Sequence, residues 1–290
     1  MSADSSVTHV RARDGTVSGR LIRPRDACDL PLLVCIHGGG SNGRYFQMKG
    51  RSLSDMAAAR GFCVLLIDRP GHGGTPLLPA TNPIAGSITF IRTFIDEVRT
   101  MLGEQGERGI ALIGHSIGGA IALRLAAERG DWPLLGAAVS GIGTTSPAWI
   151  TAMSLPDDVI RFTPPAAFAE ALFHDPDRTL DWKALASLRA ATEPWIIAEI
   201  AEIVDKWPGQ WPAVARSIDV PVHLRLAEHD RIWESGHTAV VRMAAAIVRA
   251  PYVDAGLLAS GGHLYEACRE GPALIASQLD FLEHCADRAA

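Results

Sequence analysis

Four uninterrupted apolar runs, at residues 32–36, 62–67, 110–113 and 134–139, recur along the first half of the chain, each closed by glycine or polar residues. No other feature constrains the fold as much. Short β-branched runs without polar alternation suit strands buried on both faces, an arrangement found in parallel sheets covered by helices. Helical spacing separates them. Residues 53–60 form one such stretch, closed by Gly61. Residues 84–102 form another, with Ile84, Ile88, Ile91, Ile95, Val98 and Leu102 at intervals of three and four. Strand and helix in alternation imply a mostly parallel, doubly wound α/β sheet. Two extended segments, 7–12 and 16–23, precede it as a hairpin turned at Asp14-Gly15. The pattern resumes late, with a strand at 220–226, a helix at 235–246, a weaker extended stretch at 247–253 and a terminal helix from 264 to 285. The expected architecture is a sheet of about eight strands flanked by helices.

Between residues 144 and 217 the alternation stops. The segment lacks buried apolar runs, is punctuated by proline, and holds five of the seven tryptophans: Trp149, Trp182, Trp195, Trp207 and Trp211. It reads as a helical cap inserted after the sixth strand, lying over the strand ends. Residues 1–143 and 218–290 then form the core domain.

Composition narrows the functional classes. Of 290 residues 48% are hydrophobic and 20% charged, enough apolar material for a large core. A net charge of −5 with no long basic run argues against nucleic-acid or anionic-membrane partners, and the expected partner is a small-molecule substrate. No uncharged apolar run reaches membrane-spanning length, and the first residues lack the basic and apolar blocks of a signal peptide. Five cysteines with no C-x-x-C pair fit a reducing compartment, so the expected location is cytoplasmic. His223, His229 and His237 fall on strand, turn and helix without metal-ligand spacing, and neither a metal nor a cofactor is expected.

The chemistry concentrates at residues 109–119, G-I-A-L-I-G-H-S-I-G-G. An apolar strand meets Gly114-His115-Ser116-Ile117-Gly118 and then a helix-forming stretch, the setting in which G-x-S-x-G marks a nucleophile. The turn needs residues without bulk on both sides of Ser116, which would sit in a strained conformation at the positive end of the helix. A serine hydroxyl needs a base, and the base an orienting group. His263, in a Gly-Gly-His loop before the last helix, is the favoured base, with His72 as rival. Asp230, directly after the 220–226 strand, is the favoured carboxylate over Glu228 and Asp254.

In this Ser, Asp, His order the chain resembles the α/β-hydrolase superfamily. The matching landmarks are His37-Gly38-Gly39-Gly40, Asp68-Arg69-Pro70-Gly71-His72-Gly73, the Ser116 motif, the Asp230 turn and the Gly262-His263 loop. The resemblance implies oxyanion donors at the backbone N–H of Ile117 and of Gly39, with Gly40 as the alternative. It implies a cofactor-free serine hydrolase acting on an ester, thioester or lactone, and the aromatic-rich cap leans towards a small to medium apolar or aromatic acyl group. His115, Trp149, Trp195 and Trp233 are the candidates for substrate contact. Dehalogenases and epoxide hydrolases of this fold carry aspartate where Ser116 stands. The alternatives are a C–C bond hydrolase, lyase or biosynthetic tailoring enzyme using the same residues as acid and base, or a non-catalytic ligand-binding member of the fold. Gly38-Gly39-Gly40-Ser41-Asn42-Gly43 also satisfies the dinucleotide pattern G-x-G-x-x-G, but residues 44–53 do not open directly into a helix.

Overall fold

Eight strands form one sheet in the order β1-β2-β4-β3-β5-β6-β9-β10 in the computed structural model, which describes residues 5–25, 28–78, 82–153, 160–164 and 168–289. The hairpin β1 (Ser5–Arg11) and β2 (Ser18–Pro24) is antiparallel, and β2 pairs antiparallel with β4 (Cys63–Asp68). From β4 onward, through β3 (Leu32–Ile36), β5 (Ile110–His115), β6 (Leu134–Ser140), β9 (Val222–Ala227) and β10 (Val253–Leu258), every pairing is parallel.

The central strands are buried on both faces, which explains their unbroken apolar runs. In β3, Leu32, Val34 and Ile36 join one core, while Leu33 and Cys35 join the other. The first core lies under α2 (Pro83–Leu102), α3 (Ile117–Glu128) and α10 (His237–Ala246). The second lies under α1 (Leu53–Ala59) and α11 (Gly271–Asp287). All six apolar positions read from the spacing of α2 are buried.

Two late elements differ from expectation. The last strand spans Val253–Leu258 rather than 247–253, because Pro251 has no N–H to give a ladder. It is an edge strand with every residue half-buried, so its apolar signal is weak. The terminal helix begins at Gly271, not 264, with Pro272 in its first turn where a missing N–H costs nothing. Residues 265–267 form a short 3-10 turn before it.

After β6 the chain leaves the sheet and returns at β9. The interval holds α4 (Ala148–Thr151), α5 (Phe168–Phe173), α6 (Pro176–Thr179), α7 (Leu185–Ala191), α8 (Ile197–Ala201) and α9 (Trp207–Ser217). It also holds a small antiparallel pair, β7 (Arg161–Phe162) with β8 (Trp195–Ile196). Trp207 and Trp211 are buried with ring centroids 5.6 Å apart, and Trp207 Nε1 donates to the Gly143 carbonyl at 2.8 Å. These two rings anchor the insertion to the sheet. Among the described residues no helix is long and apolar enough to cross a membrane.

Candidate active site

Ser116 sits between β5 and α3 with φ 54° and ψ −123°, a conformation a non-glycine residue adopts only under constraint. Two glycines make the turn possible. A Cβ on Gly118 would lie 2.0 Å from the Ile36 carbonyl oxygen, and one on Gly114 would lie 2.4 Å from that of Gly118. The strained residue is held from both sides. Its N–H donates to the Ser140 carbonyl at 2.9 Å, and its own carbonyl accepts from Gly119 and Ala120 at 2.8 and 3.1 Å.

His263 and Asp230 converge on this turn from the far end of the sheet. His263 Nε2 lies 2.9 Å from Ser116 Oγ, and His263 Nδ1 lies 2.8 Å from Asp230 Oδ2. The other Asp230 oxygen accepts from the N–H groups of Ile232 (2.8 Å) and Trp233 (3.2 Å), which fixes the carboxylate plane. The His229 N–H donates to the Gly261 carbonyl at 3.1 Å, locking the acid turn to the histidine loop. Asp230 and His263 are both buried, whereas Ser116 is half-buried. The rivals are engaged elsewhere. Asp254 holds Arg225 with two contacts of 2.9 Å, Glu228 caps the Ser260 N–H, and His72 faces Glu199 at 3.1 Å. Such a serine–imidazole–carboxylate chain can withdraw the hydroxyl proton as the oxygen attacks.

The glycine loop after β3 packs directly on the serine turn. A Cβ on Gly38 would lie 3.0 Å from Ser116 Cβ, and one on Gly39 would lie 3.0 Å from Ile117 Cδ1. Arg69, fully buried, holds this loop from behind by donating to the carbonyls of His37 and Gly38, each at 3.0 Å. Burial, and then the charge of Arg69, hold the His37 imidazole well below its ordinary pKa, and its Nε2 accepts the Arg69 N–H at 3.2 Å. In place of a dinucleotide-binding helix, residues 43–47 form a 3-10 turn and α1 begins at Leu53.

Three glutamates of the insertion, absent from any local motif, fasten it to this framework. Glu193 accepts from Asn42 Nδ2 (2.8 Å) and the Gly73 N–H (2.9 Å). Glu199 pairs with Arg69 and His72. Glu202 accepts from the N–H groups of Ile84 (2.8 Å) and Ala85 (3.1 Å), capping α2 where Asn82 makes no side-chain cap. Burial pushes the Glu199 carboxyl up, but Arg69 and His72 outweigh it and hold it down at about 2.

A second buried cluster lies on the other side of Ser116. Glu266 accepts from Tyr45 Oη at 2.8 Å and from Ser140 Oγ, with His115 Nδ1 at 3.4 Å. Burial raises the Glu266 carboxyl, and His115 together with the Ser140 hydroxyl returns it to about 2. His115 stacks on Tyr45 at 5.0 Å and lies 5.1 Å from the His263 ring, so it braces the imidazole. Sequence reading missed Tyr45 and Glu266, for neither stands in a recognisable spacing.

Above Ser116 and His263 opens a cavity of about 430 Å³, within the size range of small-molecule sites. Its walls are mainly apolar, with Ile117, Leu172, Phe173, Leu188 and Ile203 prominent. Of the four candidates for substrate contact, His115, Trp195 and Trp233 line it. Trp149 does not. It is 38% exposed and packs on Phe168, which in turn meets the Trp195 ring edge-on at 5.0 Å. Gly40, with φ 60°, lets Trp195 approach: a Cβ there would lie 2.2 Å from the indole Cδ1.

Fold and site together define a class of protein. Residues 33–276 match the alpha/beta hydrolase family, and the chain belongs to that family. It is similar to the pimeloyl-[acyl-carrier protein] methyl ester esterase of Chromobacterium violaceum, with 34% identity over 35% of this chain and 33% of that one. It is also similar to protein phosphatase methylesterase 1 of Candida glabrata, with 31% identity over 37% of this chain and 28% of that one. The matched segments thus span about a third of each relative. A thermostable carboxyl esterase from Bacillus coagulans shares the fold with a TM-score of 0.72 and 15% identity, over 98% of this chain and 100% of that chain.

Proposed function

We propose that this protein is a serine hydrolase that cleaves an ester-type bond of a small to medium, largely apolar acyl substrate. One observation carries the reading: His263 bridges Ser116 Oγ and Asp230 Oδ2 at 2.9 and 2.8 Å on the floor of an apolar cavity. Neutral His263 accepts the Ser116 proton through Nε2 as Oγ bonds to the acyl carbon. Asp230 accepts the Nδ1–H, fixes that tautomer and stabilises the imidazolium. The carbonyl oxygen, now an oxyanion, takes hydrogen bonds from the N–H of Ile117, at the N-terminus of α3, and of Gly39. Imidazolium then protonates the leaving alkoxide. Water, deprotonated by the same imidazole, attacks the acyl-enzyme, and Ser116 recovers its proton.

The strain at Ser116 supports this reading, because a backbone conformation costing about 1–3 kcal/mol persists where surrounding structure over-determines it, commonly at reactive sites. The core of 1–143 and 218–290 supplies the triad, and the insertion of 144–217 supplies much of the acyl pocket. The two relatives named above act on methyl esters by their names, which favours ester over amide. The test is turnover of p-nitrophenyl esters graded in acyl length. Ser116→Ala should keep the wild-type melting temperature and lose about 10⁶-fold in kcat. Retained turnover in a folded Ser116→Ala protein would remove the nucleophile and the mechanism with it.

A further inference from the structure

A second recess, about 500 Å³ in volume, opens on the sheet face at the β1–β2 edge, away from the residues of the triad. Strand register builds it. Arg11 pairs with Ser18 and Ser18 with Asp68, while His9 pairs with Arg20 two positions along. Side chains two apart share a face, so Arg11, His9, Ser18, Arg20 and Asp68 all project to one side. Arg44, from the turn after β3, joins them over that face.

The charges do not balance. Arg20 is only 9% exposed, and its Nε and Nη2 have no hydrogen-bond partner among the described residues. Its nearest carboxylate oxygen, Asp68 Oδ1, is 3.9 Å away, too far for a hydrogen bond. Asp68 is already occupied, for Oδ1 accepts the Gly43 N–H at 2.9 Å and Oδ2 the Gly74 N–H at 3.1 Å. Arg44 is exposed and forms no ion pair among the described residues, while Arg11 gives one bond to the Gly74 carbonyl at 2.9 Å. Burial pushes the Arg20 guanidinium down from its ordinary value, Asp68 opposes this, and the Arg44 charge lowers it again. Three guanidiniums thus face one committed carboxylate, and the uncompensated charge of a buried guanidinium is a costly arrangement unless an anion beside it restores the balance.

We propose that this recess binds the phosphate group of a phosphate monoester or the free phosphate ion. A phosphate carries about −1.5 to −2 charges at neutral pH and three terminal oxygens, matching the excess of two positive charges and three planar forks approaching from separate elements. A planar carboxylate offers two oxygens and one charge, and leaves one fork unmatched.

The experiment is calorimetric titration of the full chain at constant ionic strength, with inorganic phosphate, glycerol 3-phosphate and acetate as separate probes. Saturable binding of either phosphate, with acetate at least about tenfold weaker, is expected. Tighter binding of glycerol 3-phosphate assigns the recess to an organic monoester, and equal or tighter binding of inorganic phosphate assigns it to the free ion. Arg20→Gln should abolish binding. Arg44→Gln and Arg11→Gln, at exposed positions, should each weaken it about tenfold and leave the melting temperature and p-nitrophenyl ester turnover unchanged. No saturable heat with either phosphate, equal affinity for acetate, or undiminished phosphate binding in Arg44→Gln and Arg11→Gln would overturn the assignment.

Discussion

Replacing Glu199 with alanine tests the link between the insertion and the glycine loop after β3. The carboxylate is 1% exposed and faces Arg69, itself wholly buried, and His72. Removing it leaves a guanidinium with its two carbonyl partners and no counter-charge, in a place water cannot reach. Breaking a buried pair from one side costs about 3–5 kcal/mol. For a chain of 290 residues the unfolding entropy is about 0.6 kcal/mol per degree, so the melting temperature should fall by about 5–8 °C at pH 7. Glu199→Gln, which keeps an acceptor, should lose less. Because Arg69 also positions the His37 and Gly38 carbonyls, kcat should fall in the same variant. Melting by circular dichroism and a double-mutant cycle with Arg69→Met provide the measurement, with an expected coupling of about 1–3 kcal/mol. A melting shift below about 1 °C in Glu199→Ala, or no coupling to Arg69, would refute the reasoning.

The remaining predictions concern charge, tautomer and sterics. Glu199 and Glu266 both titrate at about 2 in the folded protein, below the ordinary 4.5, so their stabilisation is complete above pH 4.5 and is lost as pH falls towards 2. Each contributes on the order of 3 kcal/mol, and acid unfolding midpoints should move to higher pH in Glu266→Gln. Asp230→Asn should preserve the fold and lower kcat about 10⁴-fold, since an amide at that place favours the wrong imidazole tautomer. Steady-state kinetics beside a thermal melt separates that outcome from unfolding. Gly118→Ala should destabilise the protein by several kcal/mol or abolish soluble expression, because its Cβ would meet the Ile36 carbonyl at 2.0 Å and backbone cannot step aside. A Gly118→Ala protein with wild-type melting would show the serine turn to be looser than described.

What the sequence by itself determined is whatever a few consecutive residues encode. An unbroken apolar run such as residues 32–36 specifies a strand buried on two faces, wherever it falls in the chain, and the β3 bounds follow from it. The spacing of Ile84 through Leu102 specifies one helix face in the same way. Gly114 and Gly118 announce the turn at Ser116, because no other side chain fits between the helix and the carbonyls beneath it. Loop residues at strand ends bring in Asp230 and His263, since strands that run parallel send every carboxyl end to the same side. The edge strand β10 lies at Val253–Leu258 and not at 247–253, because a strand half-buried on a sheet edge needs no continuous apolar run to mark it.

Only the tertiary structure decided which charges meet. Arg69 and Glu199 are 130 positions apart, and Tyr45 and Glu266 are 221 apart, so no spacing in the chain couples them. Glu193, Glu199 and Glu202 stand in no recognisable spacing, yet all three tie the insertion down, Glu193 and Glu199 on the loops after β3 and β4 and Glu202 on the N-terminus of α2. Likewise Trp149 and Trp195 are indistinguishable as letters, but only Trp195 reaches the cavity, through the gap that Gly40 leaves. The physical reason is common to these cases. Strand, helix and turn formation is local and short in range, whereas the fate of a buried charge or an aromatic ring depends on which partner the folded chain brings within a few ångströms.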